Sequence, residues 1–287
     1  VGPVTTHSVG GADGWAGSGI WFGGLNSCEV TASALPRRGL ARYVVPLTLP
    51  MIALLSDIHS NIEALTKCLD EVERLGADRL VCLGDVIGYG PQPRDALRTI
   101  MDRCEFSLLG NHEHGAMFYA SDFNPRARAA IDWTRDQLNR RDCSREENMQ
   151  FWNYLDGMKK EHREDSILFV HGSPRDPVRE YMVPRDVLDQ QKMSECFAKM
   201  GDAQLCFIGH SHVPGVYTKS GKFLMPSEID MEWQVDEPAI VNVGSVGQPR
   251  DGDTRSSFVT YDGDGTNGTV RFYRVEYDHE ATMAKIR

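Results

Sequence analysis

Apolar runs that end in polar clusters constrain the fold of this chain more than any other feature. The first three runs, at residues 51–56, 79–83 and 106–109, have the length and composition of buried parallel strands. The polar residues that follow them are Asp57 and His59, then Asp85, then Asn111 and His112. A fold that buries these runs must therefore also gather charged and hydrogen-bonding side chains where the strands end.

Helical patterns separate these three strands. Residues 61–75 carry an apolar stripe at 62, 65, 69, 72 and 75, and Gly76 ends the pattern. Residues 94–101 form a second helical segment. This β-α-β-α-β order predicts a parallel sheet with right-handed crossovers. In such sheets ligands bind at the carboxyl ends of the strands, which is where the polar clusters fall.

A helical insertion interrupts this alternation at about residues 116–165. Its two helical segments span residues 125–140, which begin with Asn124 as N-cap, and residues 146–155. The next strand, at residues 166–170, ends at His171. The insertion therefore separates the third polar cluster from the fourth.

The remainder of the chain mixes one more helix with short strands. We predict a helix over residues 184–200 and a strand over 205–208, which precedes His210 and His212. Antiparallel strands are indicated at residues 213–218, 222–224, 239–243, 257–261 and 269–275. We therefore expect an α/β fold with mixed parallel and antiparallel sheets, in one domain that spans residues 51–287.

The polar clusters contain the donor atoms of a metal site. Carboxylate, amide and imidazole ligands together suit Mn²⁺, Fe and Zn²⁺ better than Ca²⁺ or Cu(I). Asp57 and His59 are two residues apart, as are His210 and His212, and alternate residues of an extended chain face the same way. Asp85 can bridge two ions, because each carboxylate oxygen can serve one of them.

We predict two divalent ions that share Asp85. The ligand sets would be Asp57, His59, Asp85 and His212 for one ion, and Asp85, Asn111, His171 and His210 for the other. The spacing leaves open which ligand serves which ion. Such a pair favours hydrolysis of a phosphate ester by a water held between the two ions.

The motifs D-x-H, G-D, G-N-H, H-G and G-H-x-H, in this order, resemble those of the calcineurin-like metallophosphoesterase superfamily. The resemblance covers nearly all of residues 51–287. The runs at residues 84–91 and 242–251 resemble a smaller bacterial and archaeal branch, related to small phosphodiesterases and to diadenosine-tetraphosphatase-like proteins. Two positions depart from the family pattern, since Ser60 replaces the usual glycine and Glu113 the usual aspartate.

The resemblance implies a four-layer α-β-β-α sandwich and a dinuclear-metal-dependent hydrolase of phosphate esters. A metal-bridging hydroxide would be the nucleophile, and His112 would give a proton to the leaving group. Phosphodiester or nucleotide substrates are favoured, and a phosphomonoesterase or Ser/Thr protein phosphatase is the alternative. A non-catalytic scaffold on the same fold is a third interpretation, which the presence of every ligand and of His112 disfavours.

Other polar residues have less specific interpretations. Arg250 is a candidate contact for the substrate phosphate, because a guanidinium matches phosphate geometry, although it could instead pair with Asp251 or Asp253. Tyr89 could stack on a base, line the pocket or simply pack. We expect His114 to be solvated or to support a neighbouring ligand rather than to take part in catalysis.

Composition restricts the partners and the compartment. The formal net charge is −10, so we expect no broad nucleic-acid-binding surface and instead a small phosphorylated substrate such as a nucleotide. No run approaches the ~18 apolar residues of a membrane span. The seven cysteines include no CxxC pair, so we interpret them as reduced thiols of a cytoplasmic protein.

Residues 1–50 differ from the rest of the chain. They are rich in glycine, serine and threonine without hydrophobic periodicity, and Met51 is the first methionine. We expect this segment to be a disordered extension or the result of a start site set too far upstream. A chain that begins at Met51 should then fold and act by itself.

Overall fold

A computed structural model of the protein describes residues 49–120 and 123–286. The expectation about residues 1–50 therefore lies outside the described residues, except for the last two positions. Within the described ranges, no helix is both long enough and apolar enough to cross a membrane.

Twelve strands and seven α-helices are found in the described residues. The strands are β1 Ile52–Leu55, β2 Arg79–Cys82, β3 Phe106–Ser107, β4 Glu161–Glu164, β5 Ile167–Val170, β6 Leu205–Ile208, β7 Gly215–Thr218, β8 Phe223–Leu224, β9 Glu232–Gln234, β10 Ala239–Asn242, β11 Ser256–Gly263 and β12 Gly268–Val275. The helices are α1 Ile62–Leu75, α2 Pro93–Arg103, α3 Asn111–Met117, α4 Pro125–Leu138, α5 Arg145–Asp156, α6 Gln190–Met200 and α7 His279–Ile286.

The strands form two six-stranded sheets. The first has the order β3-β2-β1-β11-β12-β9 and the second the order β4-β5-β6-β10-β7-β8. β1, β2 and β3 pair in parallel, as do β5, β6 and β10, whereas the remaining pairs are antiparallel. The expected mixture of parallel and antiparallel strands is confirmed.

Alternating side chains of the central strands build a four-layer core. Ile52 and Leu54 of β1 pack with Phe169 and Phe207 of the second sheet, so one apolar cluster lies between the two sheets. The intervening residues of β1 instead pack with α1 and α2 on the outer face of the first sheet. On the outer face of the second sheet, β5 and β6 pack against α6. The expected α-β-β-α sandwich is thus confirmed.

Local sequence explains why α1 begins and ends where it does. The Asn61 side chain accepts a hydrogen bond from the backbone N–H of Ala64 at 3.1 Å, which caps the helix. Gly76 ends it in the left-handed region at φ +70°. The helix therefore starts five residues after Asp57, at the edge of the sheet where the first polar cluster lies.

The predicted helix over 184–200 is wrong in one respect. A 3₁₀ turn spans Pro184–Leu188, and α6 begins only at Gln190. The reason is Asp189, whose carboxylate accepts the backbone N–H of Lys192 and so makes a new helix start. Four elements were not predicted at all, namely α3, β4, β9 and α7.

Candidate metal centre

The structure brings every predicted ligand to one place, at the carboxyl ends of β1, β2, β3, β5 and β6. Three groups of side chains have donor atoms within 4.8 Å of one another. They are Asp57, His59 and His212; His59, Asp85 and His112; and Asp85, His171 and His210. All of these side chains are at most 2% exposed, so each must find a partner within the site.

One half of the centre is formed by Asp57, His59 and His212. Asp57 Oδ1 lies 3.0 Å from His212 Nε2 and 3.8 Å from His59 Nε2. The other carboxylate oxygen accepts the backbone N–H of His210 at 2.8 Å. Asp57 is therefore fixed by one oxygen and presents the other to the two imidazoles.

The other half is formed by His171, His210 and Asn111. His171 Nε2 lies 3.1 Å from Asn111 Oδ1 and 3.1 Å from His210 Nδ1. Asn111 reaches this position because it is the first residue of α3. An amide oxygen and two imidazole nitrogens thus converge on one point.

Asp85 lies between the two halves. Its Oδ2 is 3.9 Å from His59 Nε2 and 3.4 Å from His171 Nε2. Its Oδ1 accepts the backbone N–H of His112 at 2.9 Å. We expected each oxygen to serve one ion, but a single oxygen faces both halves because the other one holds the start of α3.

Backbone carbonyl groups fix the tautomers of the four imidazoles. In each ring, the nitrogen that faces away from the centre contacts a backbone carbonyl oxygen. His59 Nδ1 lies 3.2 Å from the oxygen of Ile87, and His171 Nδ1 lies 3.0 Å from the oxygen of Leu83. His210 Nε2 lies 3.0 Å from the oxygen of Arg179, and His212 Nδ1 lies 2.6 Å from the oxygen of Gln248. A carbonyl oxygen can only accept, so each of these nitrogens carries a hydrogen. In its neutral form each ring then presents a lone pair to the centre, the arrangement in which histidine binds a metal.

These lone pairs face one another at short range. His59 Nε2 lies 3.1 Å from His212 Nε2, and the same distance separates His171 Nε2 from His210 Nδ1. Two lone pairs repel at this distance unless a proton or a cation lies between them. Asp57 Oδ1, beside the first pair, has no hydrogen-bond partner. The donor set therefore fits one cation in each half.

The electrostatics differ between the imidazoles of the centre. Burial lowers the pKa of His59 well below its usual value and lowers the pKa of His210 to about 4, so both are neutral near pH 7. Burial also opposes a charge on His171, but the Asp85 carboxylate outweighs it and raises the pKa of His171 to about 9. Beside Asp85 the site thus favours a positive charge.

The backbone around the centre is strained. Of the ten non-glycine residues with left-handed φ among those described, seven lie in the loops of the site: Asp57, His59, Ser60, Asp85, Tyr89, His210 and His212. Such conformations cost on the order of 1–3 kcal/mol each and gather at functional sites. The expectation that an extended chain makes Asp57 and His59 face the same way is therefore wrong. They converge because both are left-handed, at φ +53° and +49°.

Glu113, one of the two departures from the family pattern, ties two of these loops together. Its Oε2 accepts the backbone N–H groups of Asp85 and Gly110 at 2.9 and 3.0 Å, and its Oε1 accepts that of Ile87 at 3.0 Å. Burial and the neighbouring Asp85 raise the pKa of Glu113 to about 7, while the backbone donors lower it. Glu113 thus holds the Asp85 loop against the start of α3.

His112 is buried beside the centre and has a different environment from the other imidazoles. Its ring lies 4.5 Å from that of Tyr89 and 5.2 Å from that of Phe123. Its Nδ1 has no hydrogen-bond partner. That nitrogen faces Gly88, where a Cβ atom would lie only 2.1 Å away. The aromatic rings and Gly88 thus hold the His112 ring by packing.

The remaining candidate residues lie at the mouth of the site. Arg250 is exposed, and its guanidinium bonds to Gln248 Oε1 at 2.6 Å and lies 6.0 Å from the centre of the Tyr89 ring. It does not pair with Asp251 or Asp253, which instead pair with Arg274 and Arg255. The side chain is therefore placed where it can reach a ligand.

Sequence reasoning missed Tyr181. Its ring stacks on His210 with the centroids 3.7 Å apart, yet it lies in a loop without periodicity. His114, which we expected to be solvated or to support a ligand, is half-buried, with Nδ1 3.3 Å from Arg179 Nη2. A single sequence offers no signal for either contact, because both depend on how the loop after His171 folds back.

Comparison with known proteins identifies the family. A model described as the calcineurin-like phosphoesterase superfamily domain matches residues 51–265. An uncharacterized protein of Methanocaldococcus jannaschii is 35% identical over 240 residues, which cover 82% of this chain and 91% of that protein. The crystal structure of a metallophosphoesterase from Sphaerobacter thermophilus is 32% identical, with a TM-score of 0.67, and the match covers 83% of this chain and 93% of that chain.

A hypothetical protein from Pyrococcus horikoshii shares the fold. It is 18% identical, with a TM-score of 0.62 over 83% of this chain and 92% of that chain. Together with the family match, these similarities show that the chain belongs to the calcineurin-like phosphoesterase superfamily. It is a metal-dependent phosphoesterase.

Proposed function

We propose that this enzyme hydrolyses small phosphodiesters, with nucleotides or nucleotide-like esters as favoured substrates, and that it uses two divalent cations. Manganese, iron and zinc suit a donor set of carboxylate, amide and imidazole groups. The residues that would hold them are Asp57, His59 and His212 for one ion, Asn111, His171 and His210 for the other, and Asp85 for both.

The proposal of two cations is supported mainly by the pairs of imidazole nitrogens on both sides of Asp85. Each pair is 3.1 Å apart, and the single oxygen Asp85 Oδ2 faces His59 and His171. A single cation would serve only one pair, and the buried nitrogens of the other pair would still need a proton or a second cation between them. Two cations that share Asp85 satisfy both.

When bound, two such cations polarise a water and offset the charge that develops on the phosphate oxygens. Hydrolysis forms a bond from the water oxygen to phosphorus and breaks the bond from phosphorus to the leaving oxygen. We assign the proton that the leaving oxygen needs to His112, which follows Asn111 and packs between Tyr89 and Phe123. Arg250, at the mouth of the site, would contact the phosphate.

The dimensions of the site favour a small substrate. The proposed ligands other than Asn111 are at most 2% exposed, and the cavity beside them has a volume of about 170 Å³. A cavity of this volume favours a small ester over a phosphorylated residue on the surface of a folded protein. The preference for diesters is supported by the runs at residues 84–91 and 242–251, which resemble the phosphodiesterase branch.

A substrate panel with the Mn²⁺-loaded enzyme tests the proposal. It compares an aryl phosphodiester, an aryl phosphomonoester, a cyclic nucleotide and a dinucleoside polyphosphate, each with and without a chelator. We expect chelator-sensitive hydrolysis that is faster for the diester than for the monoester. Asp85→Asn should abolish it, whereas Asp70→Asn, an exposed aspartate on α1, should not.

Other outcomes separate the alternatives. Hydrolysis of the monoester alone would contradict the diester assignment and favour a phosphomonoesterase or Ser/Thr protein phosphatase. Hydrolysis of none of the four by protein shown to contain metal would contradict the catalytic proposal and favour a scaffold.

A further inference from the structure

A cavity lined with aromatic side chains adjoins the metal centre. Its walls include Tyr89, Phe123, Tyr181, Asn111 and His210. Two of these five, Asn111 and His210, are proposed metal ligands, so whatever fills the cavity touches the metal centre directly. None of the three aromatic residues is a proposed metal ligand, and Tyr181 has no part in the mechanism described above.

The aromatic rings form a connected wall with the imidazoles of the site. Tyr181 stacks on His210 at a centroid distance of 3.7 Å and an angle of 27°. Tyr89 lies 4.5 Å from His112, and Phe123 packs edge-on against His112 at 5.2 Å. A group that accepts a proton from His112 therefore lies beside Tyr89 and Phe123.

The loop that carries Tyr181 is held in place by contacts at both ends. The carbonyl of Arg179 accepts from His210 Nε2 at 3.0 Å, and the carbonyl of Tyr181 accepts from Lys192 Nζ at 2.6 Å. Tyr181 is nevertheless 48% exposed. A ring that is fixed in position yet still exposed is preorganised for stacking on a ligand.

The size and chemistry of the cavity select what it can hold. Its volume of about 170 Å³ is below the ~300 Å³ at which pockets for drug-sized ligands begin, so it holds one ring system rather than two. Aromatic walls stack on planar rings of any base. The guanidinium group of Arg250, which lies 6.0 Å from the centre of the Tyr89 ring, can pair with the phosphate or stack on the same ring.

We infer that this cavity is the subsite for the leaving alcohol, and that it selects phosphodiesters whose leaving alcohol carries a planar ring, as a nucleoside does. This inference rests on the proposed function, because it takes His112 as the donor of the proton to the leaving oxygen. The ring of the leaving alcohol stacks among Tyr89, Phe123 and Tyr181.

Two matched diesters test this inference with the Mn²⁺-loaded enzyme. They are the methyl esters of adenosine 5′-phosphate and of ribose 5-phosphate, which differ only in the base. We expect kcat/KM to be about 10- to 100-fold higher for the adenosine ester, the range expected when one base stacks on aromatic side chains. The products should be adenosine and methyl phosphate, because the ring-bearing alcohol leaves.

Substitutions in the cavity test whether its aromatic side chains cause the difference in kcat/KM between the two esters. Tyr181→Leu and Phe123→Leu should each reduce the ratio of the two kcat/KM values towards one, with metal content and circular dichroism confirming that each variant folds. Two separate variants keep the test valid if one of them fails to fold. Tyr119→Leu is the matched control, since Tyr119 is 83% exposed and does not line the cavity, and it should preserve the ratio.

The results that overturn the inference differ from those that overturn the proposed function. Equal hydrolysis of both esters, or release of methanol with adenosine 5′-phosphate as the other product, would overturn the leaving-group subsite and leave the phosphodiesterase intact. A ratio that survives both cavity variants would also overturn it. Hydrolysis of neither ester by metal-loaded protein would overturn the proposed function, and this inference with it.

Discussion

The buried imidazoles of this site differ in what their second nitrogen touches. In His59, His171, His210 and His212 that nitrogen gives its hydrogen to a backbone carbonyl, which orients the ring and leaves a lone pair for a cation. The Nδ1 of His112 has no such partner. Sequence identifies the histidines but not these roles, because the carbonyl groups that assign them can belong to any residue type.

The variant His112→Ala tests whether His112 gives a proton to the leaving oxygen. The metal content should be unchanged, and kcat should fall by ~10²–10⁴-fold on diesters with alkyl leaving groups, which need a proton. With 4-nitrophenyl leaving groups, which need little help from an acid, the loss should be much smaller. His279→Ala, on an exposed residue, is the control, and equal losses on both substrate classes would contradict the assignment.

Gly88→Ala should have a similar effect without any change in His112 itself. A Cβ at residue 88 would lie 2.1 Å from His112 Nδ1, so the ring must move. We expect metal content to persist and kcat on alkyl diesters to fall at least ~10-fold, since a misplacement of about 1 Å can cost ~10²-fold.

Gly221→Ala provides a matched control for that variant. Gly221 has nearly the same φ, +89° against +91°, but nothing lies within 4 Å of its Cβ position. Both substitutions place an alanine at nearly the same positive φ, so the part of the stability loss that comes from backbone strain should be similar. An equal loss of kcat in both variants would show that backbone strain, and not the displaced imidazole, is responsible.

At the scale of elements, the strand ends could be predicted and the loops that follow them could not. Hydrophobic runs locate β1, β2, β5 and β6 to within two residues, because burial on both faces demands continuous apolar sequence. The left-handed residues that turn the ligands inward leave no pattern, since aspartate and histidine tolerate that conformation without requiring it. Short exposed strands such as β4 (EHRE) lack the apolar residues that would reveal them.

Glu113→Gln tests how the start of α3 is joined to the Asp85 loop. An amide has one acceptor oxygen, so it cannot accept from all three backbone N–H groups, and the –NH₂ group must face at least one of them. We expect the free energy of unfolding to fall by about 1–3 kcal/mol, together with weaker binding of Mn²⁺. Chemical denaturation measures the first effect and metal titration the second.

The control for this substitution is Glu146→Gln, on an exposed residue of α5, which should change neither quantity. Unchanged stability and Mn²⁺ affinity in Glu113→Gln would show that the three hydrogen bonds do not hold the two elements together.

At the scale of the whole molecule, the centre depends on residues far apart in sequence that two sheets bring together. The family resemblance could predict this architecture, because the motifs follow strands of the sandwich in their order along the chain. It could not predict α7, whose Thr282 hydroxyl donates to Asn61 Oδ1 at 3.0 Å and so links the end of the chain to the cap of α1. That contact joins residues 221 positions apart, a separation that no local pattern encodes.

A chain shortened to begin at Met51 should keep the fold and the activity. The first ladder is complete from Ile52, which pairs with Arg79 and Tyr261, and the carbonyl of Met51 already accepts from Asp78 and Arg79. We expect the melting temperature and the kcat on an aryl diester to match those of the full chain. Loss of solubility or of metal binding in the shortened chain would contradict this expectation.

The number of metal ions bound per chain tests the central claim most directly. The full-length protein would be loaded with Mn²⁺, freed of excess ion by gel filtration and measured by elemental mass spectrometry against protein concentration. Two cation sites that share Asp85 predict about two ions per chain, and about one or none after His171→Ala or Asp85→Ala. A wild-type protein that binds one ion or none under saturating conditions would contradict the dinuclear centre.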